Sequence, residues 1–132
     1  MAPIRILMVD DSDTVLETFP RFFEFEDDME MVGTVNNGID SVKVAQDIKP
    51  TIILMNYVMP FMDGIQATQK ILAKMPDVKI IIMSHYTRDG LLEEILASGA
   101  KAFVKQPIDN IDMFMMLIRD VVAGKDYLAQ TP

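Results

Sequence analysis

Short apolar runs alternate along the chain with segments in which apolar residues recur every three or four positions. The run "IRILMV" at 4–9 predicts a buried strand. Residues 13–26 predict a helix, with Val15, Leu16, Phe19, Phe22 and Phe23 on one face. Pro20 lies inside it, where a missing N–H is expected to kink the helix. "MEMVGTV" at 29–35 predicts a second strand and "NNG" at 36–38 a turn, and Ile39, Val42, Ala45 and Ile48 mark the core face of a second helix. "TIILM" at 51–55 predicts a third strand, and Ile65, Thr68, Ile71, Leu72 and Met75 a third helix. "VKIIIM" at 78–83 is a fourth strand, 89–98 a fourth helix and "KAFV" at 101–104 a fifth strand. The last helix spans about 109–123, with Ile111, Phe114, Ile118 and Val121 toward the core and Gly124 as its stop signal.

Five strands alternating with five helices imply an α/β domain, with a parallel sheet covered on both faces. Right-handed crossovers make the doubly wound, flavodoxin-like strand order 2-1-3-4-5 the natural arrangement. The pattern assigns 1–124 to one domain and 125–132 to a C-terminal tail, with no output domain after it.

Composition narrows the function. The chain has 132 residues, half of them apolar, and a net charge of −8, which disfavours direct contact with nucleic acid. It has no Cys, hence no disulfide framework, thiolate metal site or thiol nucleophile. The N-terminus turns acidic too early for a signal peptide, and no apolar run is long enough for a membrane span.

In a doubly wound sheet the working site lies at the carboxyl ends of the strands. Asp10 and Asp11 follow the first strand, Asn56 the third, Ser84 and His85 the fourth, and Gln106-Pro107 the fifth. Paired carboxylates suit a hard cation such as Mg²⁺, although "DDSD" equally describes an acidic helix start with Ser12 as its cap. Ser84 could donate to a phosphoryl oxygen or simply satisfy a loop backbone. His85 with the two acids would make a loose transition-metal set. A flavin-binding protein of this fold would need a hydroxyl- and Gly-rich loop after the first strand, where this chain has "DDSDTV".

Taken together, "ILMVDDS", "MPFMDG" (59–64), "IIIMS", "GAKAF" (99–103) and "LIRDVVAGKDYL" (117–128) resemble the receiver domain of bacterial response regulators, in particular receivers that precede a helix-turn-helix output domain. The resemblance implies a cytoplasmic signalling domain of the phosphorelay, not an enzyme. In that family the acidic pair and a third Asp hold Mg²⁺, the third Asp accepts a phosphoryl group from a histidine kinase, and a Ser/Thr and a Lys contact the phosphate. The matching positions here are Asp10, Asp11, Asn56, Ser84 and Gln106. Asn56 and Gln106 depart from the pattern, and His85 stands where a small residue is usual. The chain therefore resembles a degenerate receiver, a pseudo-receiver that needs no cofactor and for which weak Mg²⁺ binding remains open.

An amide cannot form an acyl phosphate, because its nitrogen lone pair is delocalised and it offers no attacking carboxylate. Losing an Asp and a Lys together leaves the local charge unchanged, and Asn56 and Gln106 are expected to hydrogen-bond to each other. A laboratory change of Asp to Asn would explain residue 56 but neither Gln106 nor His85, and a phosphoacceptor at another residue is the remaining alternative. Lys105 should point away from where Gln106 points. The bond between Gln106 and Pro107 is expected to be cis, as the family's Lys-Pro bond is. His85 is expected to cover the entrance, and Phe103 matches the family's switch aromatic. Met113 and Met116 lie off the core face of the last helix. With the fourth helix and fifth strand they mark the expected face for a protein partner or a second copy.

Overall fold

The computed structural model describes residues 2–125. The tail beyond Lys125 lies outside the described residues. Five strands, β1 (Ile4–Val9), β2 (Met29–Val35), β3 (Ile52–Asn56), β4 (Lys79–Ser84) and β5 (Ala102–Lys105), form one sheet in the order β2-β1-β3-β4-β5. All four pairings are parallel, as the alternation of strand and helix requires. The helices are α1 (Asp13–Thr18), α2 (Gly38–Ile48), α3 (Gly64–Lys74), α4 (Leu91–Ala97) and α5 (Ile111–Val122).

The strands read as continuous apolar runs because both faces of the sheet are covered. Leu7, Val9, Ile53, Met55, Ile80, Ile82 and Phe103 join the core beneath α2, α3 and α4. Their neighbours Ile6, Met8, Ile52, Leu54, Ile81, Met83 and Val104 join the opposite core with Phe114, Ile118 and Val121 of α5. Each fully buried side chain of this size contributes about 1.5–3 kcal/mol, so these two layers dominate the fold's stability.

Two expectations about helix faces are corrected. The first helix does not run through 13–26: it ends at Thr18, and Phe19–Phe23 form a 3-10 turn with Pro20 in its first turn. Pro has no N–H to donate to the fourth residue back, so the α-helical ladder stops and a tighter segment takes over. The tighter winding turns Phe22 out to 49% exposure while Phe23 stays buried. In α2 the buried row is Gly38, Ser41 and Ala45, and Ile39 is 54% exposed. Gly38 packs where a β-carbon would lie 2.6 Å from the Met62 carbonyl oxygen, which turns its neighbour outward.

At the far end of α5, Arg119 grips Asp28 in a two-pronged ion pair (2.7 and 2.9 Å) and reaches Glu26 at 2.6 Å. The guanidinium hydrogen bonds hold the Asp28 carboxyl below its ordinary range.

The Thr68 hydroxyl is fully buried in α3 without a hydrogen-bond partner among the described residues. An unpaired buried hydroxyl costs about 1–3 kcal/mol. Thr68→Val should therefore raise the urea midpoint by about 1 kcal/mol equivalent without changing the slope of the transition. A lowered midpoint would show that the hydroxyl is satisfied.

Candidate functional site

Sheet register assembles the site. Val9 pairs with Met55, so Asp10 and Asn56 leave the sheet side by side. The Asp10 N–H donates to the Val35 carbonyl (3.0 Å), that of Tyr57 to Met83 (2.9 Å), and that of Gln106 to Ser84 (2.8 Å). The turn after β3 is pinned just as tightly. Gly64 N–H donates to the Tyr57 carbonyl at 2.8 Å, and a β-carbon on Gly64 would collide with the Asn56 carbonyl oxygen. Only glycine lets α3 begin this close to the strand end.

Asp10 is buried, and its Oδ1 accepts the Ser12 N–H at 2.9 Å. Ser12 caps α1, its Oγ accepting the Val15 N–H at 3.3 Å, as the ordinary reading of "DDSD" expects. Burial pushes the Asp10 carboxyl upward, opposed by the Ser12 hydrogen bond, assisted by the charge of Asp11 and opposed by His85. Asp11 is exposed, and its Oδ1 accepts a hydrogen bond from Asn56 Nδ2 at 3.1 Å. The second Nδ2 hydrogen bond of Asn56 goes to the Val58 carbonyl at 2.9 Å.

The expected bond between Asn56 and Gln106 is therefore not made: the Asn56 amide nitrogen is committed to Asp11 and Val58. Gln106 is buried, its side-chain amide has no hydrogen-bond partner among the described residues, and the Gln106–Pro107 bond is cis. Lys105 is exposed while Gln106 is not, as strand alternation requires. Ser84 Oγ donates to the Tyr86 carbonyl and accepts the Tyr86 N–H, both at 2.8 Å, so its hydroxyl satisfies the loop backbone. Phe103 is buried in the core with Leu91 and Ile95 of α4.

Among the described residues no three His, Asp or Glu side chains are placed to hold a metal ion, so the set of Asp10, Asp11 and His85 is not assembled as a metal site. Asp10 and Asp11 supply two carboxylates, and Asn56 turns its amide nitrogen toward Asp11 and the Val58 carbonyl. His85 is exposed beside the site.

Sequence reasoning missed an aromatic pair. Tyr57 follows Asn56 and Tyr86 follows Ser84 by two, and their rings stack with centroids 6.4 Å apart. Arg88 donates to the Tyr57 hydroxyl (3.4 Å) and pairs with Glu94 (2.6 Å), which braces the loop against α4. The signal was present as two Tyr just past the ends of adjacent strands. Tyr57 and Tyr86 line a cavity of about 330 Å³ with Val58, Met59 and Asp63.

The response regulator receiver domain family matches residues 6–118. A response regulator from Pseudomonas viridiflava, GacA, is 32% identical over 126 residues, covering 96% of this chain and 58% of that protein. The chain thus spans little more than half the length of that relative. The chemotaxis protein CheY of Listeria monocytogenes is 33% identical over 104 residues, 79% of this chain and 87% of that protein. Among solved structures, a LuxR-family two-component response regulator from an Aurantimonas species superposes with a TM-score of 0.90 at 23% identity, covering 99% of this chain and 91% of that one. The response regulator domain of Thermotoga maritima CheB gives 0.78 at 28% identity, covering 92% and 95%.

The charge on Asp10 generates a test. Its folded-state pKa is raised, so the unfolded chain ionises first, and stability present below the unfolded value is lost as pH rises through the folded one. Asp10→Asn keeps an acceptor for Ser12 and removes the charge. It should raise the melting temperature at about pH 7 and change it little at about pH 3. Equal shifts at both would contradict the assignment.

Proposed function

The chain belongs to the response regulator receiver family of two-component signalling, and from that premise we propose that it is an atypical member, a pseudo-receiver that signals through protein contacts without an aspartyl phosphate. The observation that carries this reading is Asn56 at the acceptor position, its amide nitrogen donating to Asp11. Phosphoryl transfer needs a carboxylate oxygen attacking in line and a cation to neutralise the developing charge. Asn56 offers no such oxygen, and Gln106 supplies no positive charge. Ser84 hydrogen-bonds twice to the backbone of Tyr86 instead. The domain catalyses no reaction of its own, requires no Mg²⁺ and acts in the cytoplasm.

The partner face in this reading is α4, β5 and α5. Met113 and Met116 are 52% and 59% exposed on α5, while Phe114, Ile118 and Val121 fill the core. Flexible thioether side chains suit a surface that adapts to a partner. Changing both Met113 and Met116 to Glu should weaken binding to a signalling partner by at least about tenfold without lowering the melting temperature. Unchanged binding would move the interface elsewhere.

Incubation with acetyl phosphate and Mg²⁺ followed by peptide mapping should leave Asn56 unmodified. Phosphate on Asp10, Asp11 or Ser84 would establish a displaced acceptor and overturn the reading. Asn56→Asp alone adds a carboxylate beside Asp10 and Asp11, which should lower stability in the absence of Mg²⁺ and restore it when Mg²⁺ is added. Only Asn56→Asp with Gln106→Lys supplies both nucleophile and cation, so that double variant should acquire phosphate. If it stays inert even with His85→Ala, the pocket has diverged beyond these three positions.

A further inference from the structure

The turn that leads into β2 holds aromatic side chains in water. Phe25 is 85% exposed and Phe22 is 49% exposed. The backbone beneath them is pinned. The Glu24 N–H donates to the Arg21 carbonyl (3.2 Å), that of Glu26 to Phe23 (3.1 Å) and that of Met29 to Glu26 (3.3 Å). Arg119 also grips the side chains of Glu26 and Asp28. Phe25 therefore stands on a fixed turn, and docking it costs little further ordering. The charge around it comes from its own chain neighbours. Glu24 and Asp27 are exposed and have no cationic partner among the described residues. Glu26 and Asp28 share the single charge of Arg119, and Arg21 is the other cation of the turn. The turn is thus an aromatic knob with a surplus of two negative charges.

The same end of the sheet carries its complement. A groove of about 590 Å³ lies where the chain enters β3 and β4. Met75, Pro76 and Val78 make its lining largely apolar. Lys49, Lys74 and Lys79 also line it, against the single acid Asp77, which leaves a surplus of two positive charges. None of these lysines has a carboxylate partner among the described residues, in a chain whose net charge is −8. Arg5 donates to the Lys49 carbonyl at 2.5 Å and brings one more cation close by. Phe25 does not line the groove of its own chain.

We propose that the Phe25 turn of one copy docks into the lysine-lined groove of a second copy, and that the second copy returns the contact. Exposed ring meets apolar lining, and Glu24 and Asp27 meet unpaired ammonium groups. Knob and groove both lie at the amino end of the parallel strands, with the last turn of α5 supplying Arg119 to one and Val122 to the other. A two-fold axis can therefore satisfy both contacts at once, and the pair closes as a dimer. Residue 56 lies at the opposite end of the sheet, so the proposal is independent of whether that site takes phosphate.

Sedimentation equilibrium of the whole chain tests it. The average mass should approach that of a dimer by about 1 mM, the weak end of specific association, and rise no further. Phe25→Ser should melt like the parent and associate at least about tenfold more weakly. Glu24→Lys with Asp27→Lys makes knob and groove both positive, and Lys74→Glu with Lys79→Glu makes both negative. Each charge variant alone should stay monomeric with a native far-ultraviolet spectrum, and the two mixed should form a 1:1 dimer. All four changes in one chain should restore the self-dimer, which also covers the case of either pair failing to fold alone. Met113→Glu with Met116→Glu should leave the association unchanged. A parent that stays monomeric at about 1 mM would mean that the groove takes some other occupant and would overturn the proposal. Association that survives Phe25→Ser, or a fourfold variant that is folded but monomeric, would overturn it equally.

Discussion

Two adjacent carboxylates at the end of β1 set the terms for everything around them. Asp10 is buried, Asp11 stands beside it, and burial pushes the Asp10 carboxyl upward. Negative charge gathered at one strand end is tolerable only with donors or cations close by. Here the donors are the Ser12 N–H on Asp10 and the Asn56 amide on Asp11. A third carboxylate at residue 56 would add repulsion that only a bound cation relieves. An amide there places a hydrogen-bond donor where a carboxylate would repel. The same reasoning covers residue 106, where a buried ammonium without its acceptor partner would be costly and Gln is neutral.

The fold delivers these groups by backbone geometry. Parallel register brings Asp10 beside Asn56 and Ser84 beside Lys105, and the hydrogen bonds from the Tyr57 and Gln106 N–H groups extend the ladder one step past the regular strands. Gly64 sets how closely α3 can approach the Asn56 carbonyl. With the strand ends held this way, a change of side chain alters the chemistry of the site and leaves its frame intact. That separation lets a chain with the receiver architecture carry an amide at the end of β3.

Much of this was legible in the sequence because it depends on period and order. Continuous apolar runs gave the strands, and alternation with helices gave the order 2-1-3-4-5. The same order places Asn56, Ser84 and Gln106 at the carboxyl ends of the third, fourth and fifth strands, where the structure has them. What the sequence hid depends on local winding and side-chain reach. The face of residues 19–23 turned on a 3-10 segment that Pro20 imposes, and Ile39 faces out because Gly38 takes the close contact. The partner of Asn56 could not be read from charge balance. Asp11 and the Val58 carbonyl claimed the amide, while Gln106 on the far side of β4 did not. The stacked Tyr57 and Tyr86 were visible only as two residues at similar offsets, with nothing to say that their rings meet.

The central claim is that the amide at residue 56 leaves the site unresponsive to the cation and the phosphoryl group. The direct measurement is the amide spectrum of the ¹⁵N-labelled domain with and without Mg²⁺ and beryllium trifluoride, which stands in for a phosphoryl group on a carboxylate. The account predicts that any shifts stay at the residues flanking Asp10, Asp11 and Asn56. Shifts spreading through Ser84 and Phe103 into α4 and α5 would contradict it, because they would show that the switch still works without its acceptor.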